Sequence, residues 1–130
     1  VGTGGMLRGV HRAFREAGSG ARIIALEPAT SPALTEGRGG AHRVEGIGTG
    51  RVVPHMADKP YDEARAIDEG AARVMAQRLA REEGLLVGTS SALNITAAIA
   101  VAGELGPGKI VTTVAVDTGL KYLAGDLFGA

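Results

Sequence analysis

The stretch Gly2-Thr3-Gly4-Gly5-Met6, running into Leu7-Arg8-Gly9-Val10-His11-Arg12-Ala13-Phe14-Arg15-Glu16-Ala17 and then Arg22-Ile23-Ile24-Ala25-Leu26, decides how the rest of the chain reads. Leu7, Val10 and Phe14 recur at helical spacing and Gly18 ends the pattern, so a helix follows a glycine turn directly. Arg22 to Leu26 is a short, almost wholly apolar run stopped by Glu27-Pro28, as in a strand buried on both faces. A turn, a helix and a buried strand in that order begin an α/β alternation.

The alternation continues beyond a long irregular stretch. Residues 28–60 hold four of the five prolines and no sustained period, which marks a functional or mobile segment. Glu63 to Ile67 then reads as a short strand, and Asp68 as the N-cap of a helix reaching Glu83 with Ala71, Val74, Met75 and Leu79 on one face. Gly84 closes it. Leu85-Leu86-Val87 is a brief apolar run, and Gly88-Thr89-Ser90-Ser91 turns the chain into a helix that is apolar nearly all round, with Ser90 and Ser91 as candidate caps. Ile110 to Val116 is expected to be a buried parallel strand, and Asp117-Thr118-Gly119 leads into a last helical turn. The expected fold class is α/β, a partial parallel sheet flanked by helices.

Composition narrows the function. The chain has 130 residues, the size of one domain at most, and its 14 lysines and arginines are balanced by 14 acidic residues. With only 3% aromatic residues it lacks both a basic footprint for phosphate backbones and rings for stacking bases, so nucleic acid is not an expected partner. There is no cysteine, which removes disulfides, thiol nucleophiles and thiolate zinc sites. His11, His42 and His55 form no local ligand pair, and no metal is expected. No apolar run approaches the ~18 to 20 residues that span a bilayer. A soluble, cytoplasmic protein is expected, with no membrane partner. The opening Val1-Gly2-Thr3 carries neither an initiator methionine nor a leader, and reads as the interior of something longer.

Three glycine-bearing turns stand beside regular elements: Gly2 to Met6, Gly46-Ile47-Gly48-Thr49-Gly50, and Asp117-Thr118-Gly119. In open α/β sheets ligands collect beyond the carboxyl ends of strands. The first turn suits a phosphate: its glycines let the backbone approach an anion, the helix start presents N–H groups and a favourable dipole, and Thr3 adds a hydroxyl. Alternatively it is a flexible loop opening a helix. It is neither a GxGxxG nor a GxxxxGK[ST] loop. Gly88-Thr89-Ser90-Ser91-Ala92 nearly matches a GxSxG nucleophile elbow, but that arrangement needs a histidine after the serine, and the last one here is His55. Asp62, Glu63, Asp68 and Glu69, like Arg78, Arg81, Glu82 and Glu83, read as solvated surface, and Asn94 as a hydrogen-bonding partner for a neighbouring loop.

Taken in order, five stretches resemble the C-terminal half of the cysteine synthase and cystathionine β-synthase family, fold type II pyridoxal-phosphate enzymes. They are Gly2-Thr3-Gly4-Gly5; Ala25-Leu26-Glu27-Pro28 with Ser31-Pro32; His42 with Gly46-Ile47-Gly48-Thr49-Gly50; Leu79 through Ser91; and Asp117-Thr118-Gly119-Leu120-Lys121-Tyr122-Leu123. The likeness covers essentially the whole chain and implies a fragment of the tryptophan synthase β-like fold. It also implies that Gly2, Thr3, Gly4, Gly5 and the backbone of Met6 cradle the phosphate of pyridoxal 5′-phosphate. Thr118 would meet the pyridine nitrogen, and a neutral hydroxyl there leaves that nitrogen largely unprotonated, which suits β-elimination and β-replacement. Gly46, Ile47 and Gly48 would border the active-site mouth and take part in closing it.

Met6 stands where the family usually has Thr, Ala92 where Gly is usual, and Thr118 where Ser is usual. The family's Schiff-base lysine and substrate-carboxylate loop lie in an N-terminal half, and Lys59, Lys109 and Lys121 are not in its context. No catalytic residue is therefore assigned within 1–130. The resemblance implies an enzyme that forms cysteine from O-acetylserine or a similar β-substituted amino acid and a sulfur donor, dimeric when full length. A serine or threonine dehydratase, cystathionine β-synthase and cysteine desulfhydrase share the cofactor class. A non-catalytic remnant or binding module is the alternative from another class.

Overall fold

Helix α1, Gly5–Glu16, begins one residue after Gly4, whose φ of 84° lies in the left-handed region and turns the chain sharply into the helix. In the computed structural model, which describes residues 1–129, it is followed by strand β1 (Ile24–Pro28), a 3-10 turn (Pro54–Met56), strand β2 (Glu63–Ile67), helix α2 (Glu69–Glu82), helix α3 (Thr89–Leu105) and a second 3-10 turn (Gly119–Tyr122). The chain divides into two compact units, residues 1–66 and the part from Ile67 onward.

In the first unit β1 and β2 form a two-stranded parallel sheet. Ala25 is fully buried on β1, and Ile23, Ala33, Val44, Val53 and Met56 are buried with it. The long stretch between the strands is irregular apart from its 3-10 turn, as its prolines require. Buried Glu27 organises its start: the carboxylate accepts the Leu34 N–H at 2.7 Å, the Thr35 N–H at 2.9 Å and the Thr35 hydroxyl at 2.7 Å. A carboxylate can be buried only with such donors around it.

Helix α1 is held by its polar side. Arg8 donates to the His55 carbonyl at 3.0 Å and grips the Asp58 carboxylate with both terminal nitrogens, while Arg15 reaches the Asp62 carboxylate at 2.9 and 3.0 Å. Its apolar stripe, Met6, Val10 and Phe14, remains 55%, 40% and 41% exposed, and no α1 residue is buried.

In the second unit Asp68 caps α2 by accepting the Ala71 N–H at 2.7 Å, as expected. Leu85 N–H returns to the Leu79 carbonyl at 3.0 Å and ends the helix around Gly84. The buried face of α2 is Ala72, Ala76 and Leu79, not the expected stripe through Ala71 and Val74, since Val74 is 56% exposed. Small residues on both helices let α2 pack on α3, whose buried face is Leu93, Ala97 and Val101. Ala76, Leu79, Val87, Ala92 and Leu127 form one core cluster.

Two further expectations are corrected. Ser90 and Ser91 do not cap α3, because Gly88 occupies the N-cap position and no side chain caps it. Residues 110–116 form no strand: no backbone neighbour pairs with them among the described residues, and Ile110 is 92% exposed. Instead α3 reaches out to them, with Asn94 Nδ2 donating to the Val114 carbonyl at 3.0 Å and Ser91 Oγ accepting the Val116 N–H at 2.8 Å. Among the described residues no helix is long and apolar enough to cross a membrane.

Asp68→Ala leaves the Ala71 N–H uncapped and is expected to cost about 1 kcal/mol. Leu127→Ala empties the centre of the second core and should cost about 3 kcal/mol. Chemical denaturation followed by circular dichroism measures both.

Candidate functional site

The glycine turn and the Gly46–Gly50 loop come together in the first unit. A Cβ on Gly2 would collide with the Gly46 carbonyl oxygen and stand 3.8 Å from the Ile47 Cα, so the two backbones touch where no side chain intervenes. The Gly48 N–H donates to the Val1 carbonyl at 3.0 Å, and the Val1 nitrogen donates to the Leu26 carbonyl of β1. Pro28 offers no N–H of its own there. A Cβ on Gly4 would stand 2.8 Å from the buried Met56 Cε and 3.2 Å from the His55 Cβ, so the turn also lies against the first 3-10 turn.

This packing leaves the head of α1 open. No side chain caps it and no acidic residue lies in its first turn. Its first intrahelical bond, from the Arg8 N–H to the Gly4 carbonyl at 2.9 Å, leaves the preceding N–H groups of Gly5, Met6 and Leu7 without intrahelical acceptors. The exposed Thr3 places its hydroxyl 3.8 Å from where a Cβ on Gly5 would be. A twelve-residue helix whose first N–H groups lack intrahelical acceptors, with a positive dipole end and a nearby hydroxyl, suits an anion, and the residues present fit the phosphate of a cofactor.

Thr118 lies in the second unit and is exposed. Its backbone is extended and pairs antiparallel with Val87. The Gly88 N–H reaches the Asp117 carbonyl at 3.2 Å and the Gly119 N–H the Leu86 carbonyl at 2.9 Å, fixing the backbone on both sides of Thr118. Its hydroxyl oxygen accepts the Leu120 N–H at 3.3 Å, which leaves the hydroxyl proton available to an external acceptor.

Asp117, one residue earlier, is the hub of this turn. Its carboxylate accepts from the Ser91 hydroxyl at 3.0 Å, the Tyr122 hydroxyl at 2.8 Å and the Lys121 ammonium at 3.2 Å. Ser91 Oγ accepts the Asp117 N–H at 3.2 Å in addition to the Val116 N–H. A Cβ on Gly88 would lie 2.5 Å from both carboxylate oxygens. Burial pushes the Asp117 carboxyl up, but the hydrogen bonds from Tyr122, Lys121 and Ser91 outweigh it and hold it below the usual carboxylate range.

The structure thus brings Gly2–Met6 and Gly46–Gly48 together, while Thr118 has its own support in the second unit. Sequence reading missed the Asp117 hub, and the available signal was a carboxylate, a lysine and a tyrosine at positions 117, 121 and 122 around the turn. It also gave Ser91 a local role where the hydroxyl acts at long range.

A family model described as "Pyridoxal-phosphate dependent enzyme" matches residues 1–116. A cysteine synthase of Staphylococcus aureus is 40% identical over 128 residues, covering 98% of this chain and 41% of the relative. The chain therefore spans about two-fifths of the length of the curated relatives it matches. Among solved structures, a cysteine synthase of Entamoeba histolytica is 31% identical with a TM-score of 0.90, over 98% of this chain and 38% of that one. A hydrogen sulfide-producing enzyme of Fusobacterium nucleatum is 41% identical with a TM-score of 0.87, over 100% of this chain and 39% of that one.

Because the Asp117 carboxyl is depressed, its contribution to stability is complete above the ordinary aspartate value of about 3.9 and is lost as pH falls through the lower folded value. Unfolding midpoints measured from pH 6 down to pH 2 should show a smaller acid-side loss for Asp117→Asn than for the native protein.

Proposed function

The chain belongs to the pyridoxal-phosphate dependent enzyme family, and on that premise we propose that it is the C-terminal part of a cysteine synthase-like enzyme. The reaction is β-replacement: the substituent on the β-carbon of O-acetylserine or a similar amino acid leaves, and sulfide takes its place to form cysteine. The observation that carries this reading is the glycine turn leading into the uncapped head of α1, with Gly2 packed directly on the Gly46–Gly48 loop.

Gly2, Thr3, Gly4, Gly5 and the Met6 N–H would hold the cofactor phosphate, with Met6 supplying a backbone donor only. When bound, pyridoxal phosphate supplies the electron sink that lets the α-proton and the β-substituent depart. Thr118, whose oxygen already accepts the Leu120 N–H, would offer its hydroxyl proton to the pyridine nitrogen as a neutral contact. Gly46, Ile47 and Gly48 would border the bound amino acid and exclude water from it. In this reading no lysine of residues 1–130 is assigned to carry the cofactor. We place the full-length enzyme in the cytoplasm as a homodimer.

The test uses the full-length protein, which should copurify with a visible pyridoxal-phosphate absorbance and form cysteine from O-acetylserine and sulfide. Release of sulfide from cysteine, with no incorporation, would reassign it to the desulfhydrase direction, and no reaction with any β-substituted amino acid would remove the reading. Thr118→Val should lower turnover about tenfold, the loss of one well-placed hydrogen bond, while Thr118→Ser retains it. Met6→Thr adds a hydroxyl at the head of α1 and should tighten cofactor binding severalfold, measured by fluorescence titration of the reconstituted protein.

A further inference from the structure

Both ring nitrogens of the half-buried His42 are committed to the backbone of its own loop. Nε2 stands 2.8 Å from the Gly48 carbonyl oxygen, and Nδ1 accepts the Val44 N–H at 3.2 Å. A carbonyl only accepts and a backbone N–H only donates, so these two partners match the tautomer with its hydrogen on Nε2.

The His42 ring holds the Gly48 peptide group. The Gly48 N–H is spent on the Val1 carbonyl, which leads directly into Gly2, and the Gly48 carbonyl is spent on His42. Gly48 has φ 68°, and a Cβ there would strike the imidazole and stand 3.0 Å from Pro28 Cγ, so ring and peptide are in direct contact. Gly46 and Gly50 on either side also have positive φ, 80° and 75°. A backbone with glycine at every second position has little steric preference of its own, so hydrogen bonds determine where it sits. The Gly46 carbonyl occupies the space a side chain on Gly2 would need. A loop freed from His42 would keep only the Gly48–Val1 hydrogen bond to hold it against the Gly2 turn.

We propose that His42 is a positioning residue: by donating from Nε2 to the Gly48 carbonyl it fixes the Gly46–Gly48 loop against the Gly2 turn, and thereby sets how well the amino-acid substrate is held. The assignment rests on the proposed cysteine synthase-like reading for its substrate, and on geometry alone for the placement of the loop.

The experiment compares the full-length native protein with His42→Ala, His42→Gln and His42→Asn. It reads hydrogen exchange in the peptide covering residues 44–50, cofactor absorbance, and KM and kcat for O-acetylserine. The amide nitrogen of Gln reaches about as far as Nε2 and can donate to the Gly48 carbonyl. Asn is too short to do so, although its oxygen can still accept from Val44. Faster exchange in His42→Ala and His42→Asn, with KM raised about fivefold, kcat changed less and the cofactor retained, is the expected result, and His42→Gln should restore both. Unchanged exchange in Ala and Asn, or a Gln variant as impaired as the Asn variant, overturns the proposal, as does faster exchange with unchanged KM. If Ala fails to fold, the Gln and Asn pair still decides. A native protein without cofactor or activity refutes the functional reading instead, and the exchange comparison then decides the loop's placement on its own.

Discussion

No side chain fits between Gly2 and the Gly46 carbonyl, and much of the first unit follows from that contact. Two backbones that touch must each present hydrogen-bonding groups to something, and here they present them to each other: the Gly48 N–H closes onto Val1, and the Val1 nitrogen onto β1. With those groups paired, Gly4 can take its left-handed turn over Met56 and start α1 at a fixed point. The N–H groups of Gly5, Met6 and Leu7 at the head of α1 are left without intrahelical acceptors.

The second unit solves a related problem with side chains. Thr118 has to present a hydroxyl outward from a short extended segment that has no sheet to stiffen it. Asp117 supplies the stiffness, its carboxylate drawing donors from α3 and from the following 3-10 turn while its own N–H donates to Ser91 Oγ. A charged hub of this kind makes stronger hydrogen bonds than neutral groups would, and its geometry is specific because three donors must agree on two oxygens. The chemistry assigned to Thr118 depends on its oxygen already accepting from Leu120, since an oxygen with that commitment is oriented as a donor.

Much of this was legible in the sequence, because local signals were strong where local physics dominates. Asp68 as a cap, the strand from Glu63 to Ile67 and the helix start after Gly4 all follow from residue type and spacing within a few positions. The glycine turns were visible as candidate ligand loops for the same reason. What was not legible depends on distant partners. Ser91 looks like a cap until residues 116 and 117 are brought beside it, and α2 buries Ala72 and Ala76 instead of the larger Val74 because close packing on α3 favours small residues. The apolar run from Ile110 to Val116 carries a strand's composition, but composition cannot supply a neighbour to pair with. His42 gave only the signal of an isolated histidine, and its meaning came from two backbone contacts.

Helix α1 is attached to its unit by arginines and leaves Met6, Val10 and Phe14 to the outside. Exposed ion pairs contribute little and weaken with salt, whereas an apolar stripe seeks cover regardless of ionic strength. Taken by itself, the chain thus exposes an apolar helix face together with the segment around Ile110. Such surfaces offer the apolar features that chaperones and degradative proteases recognise.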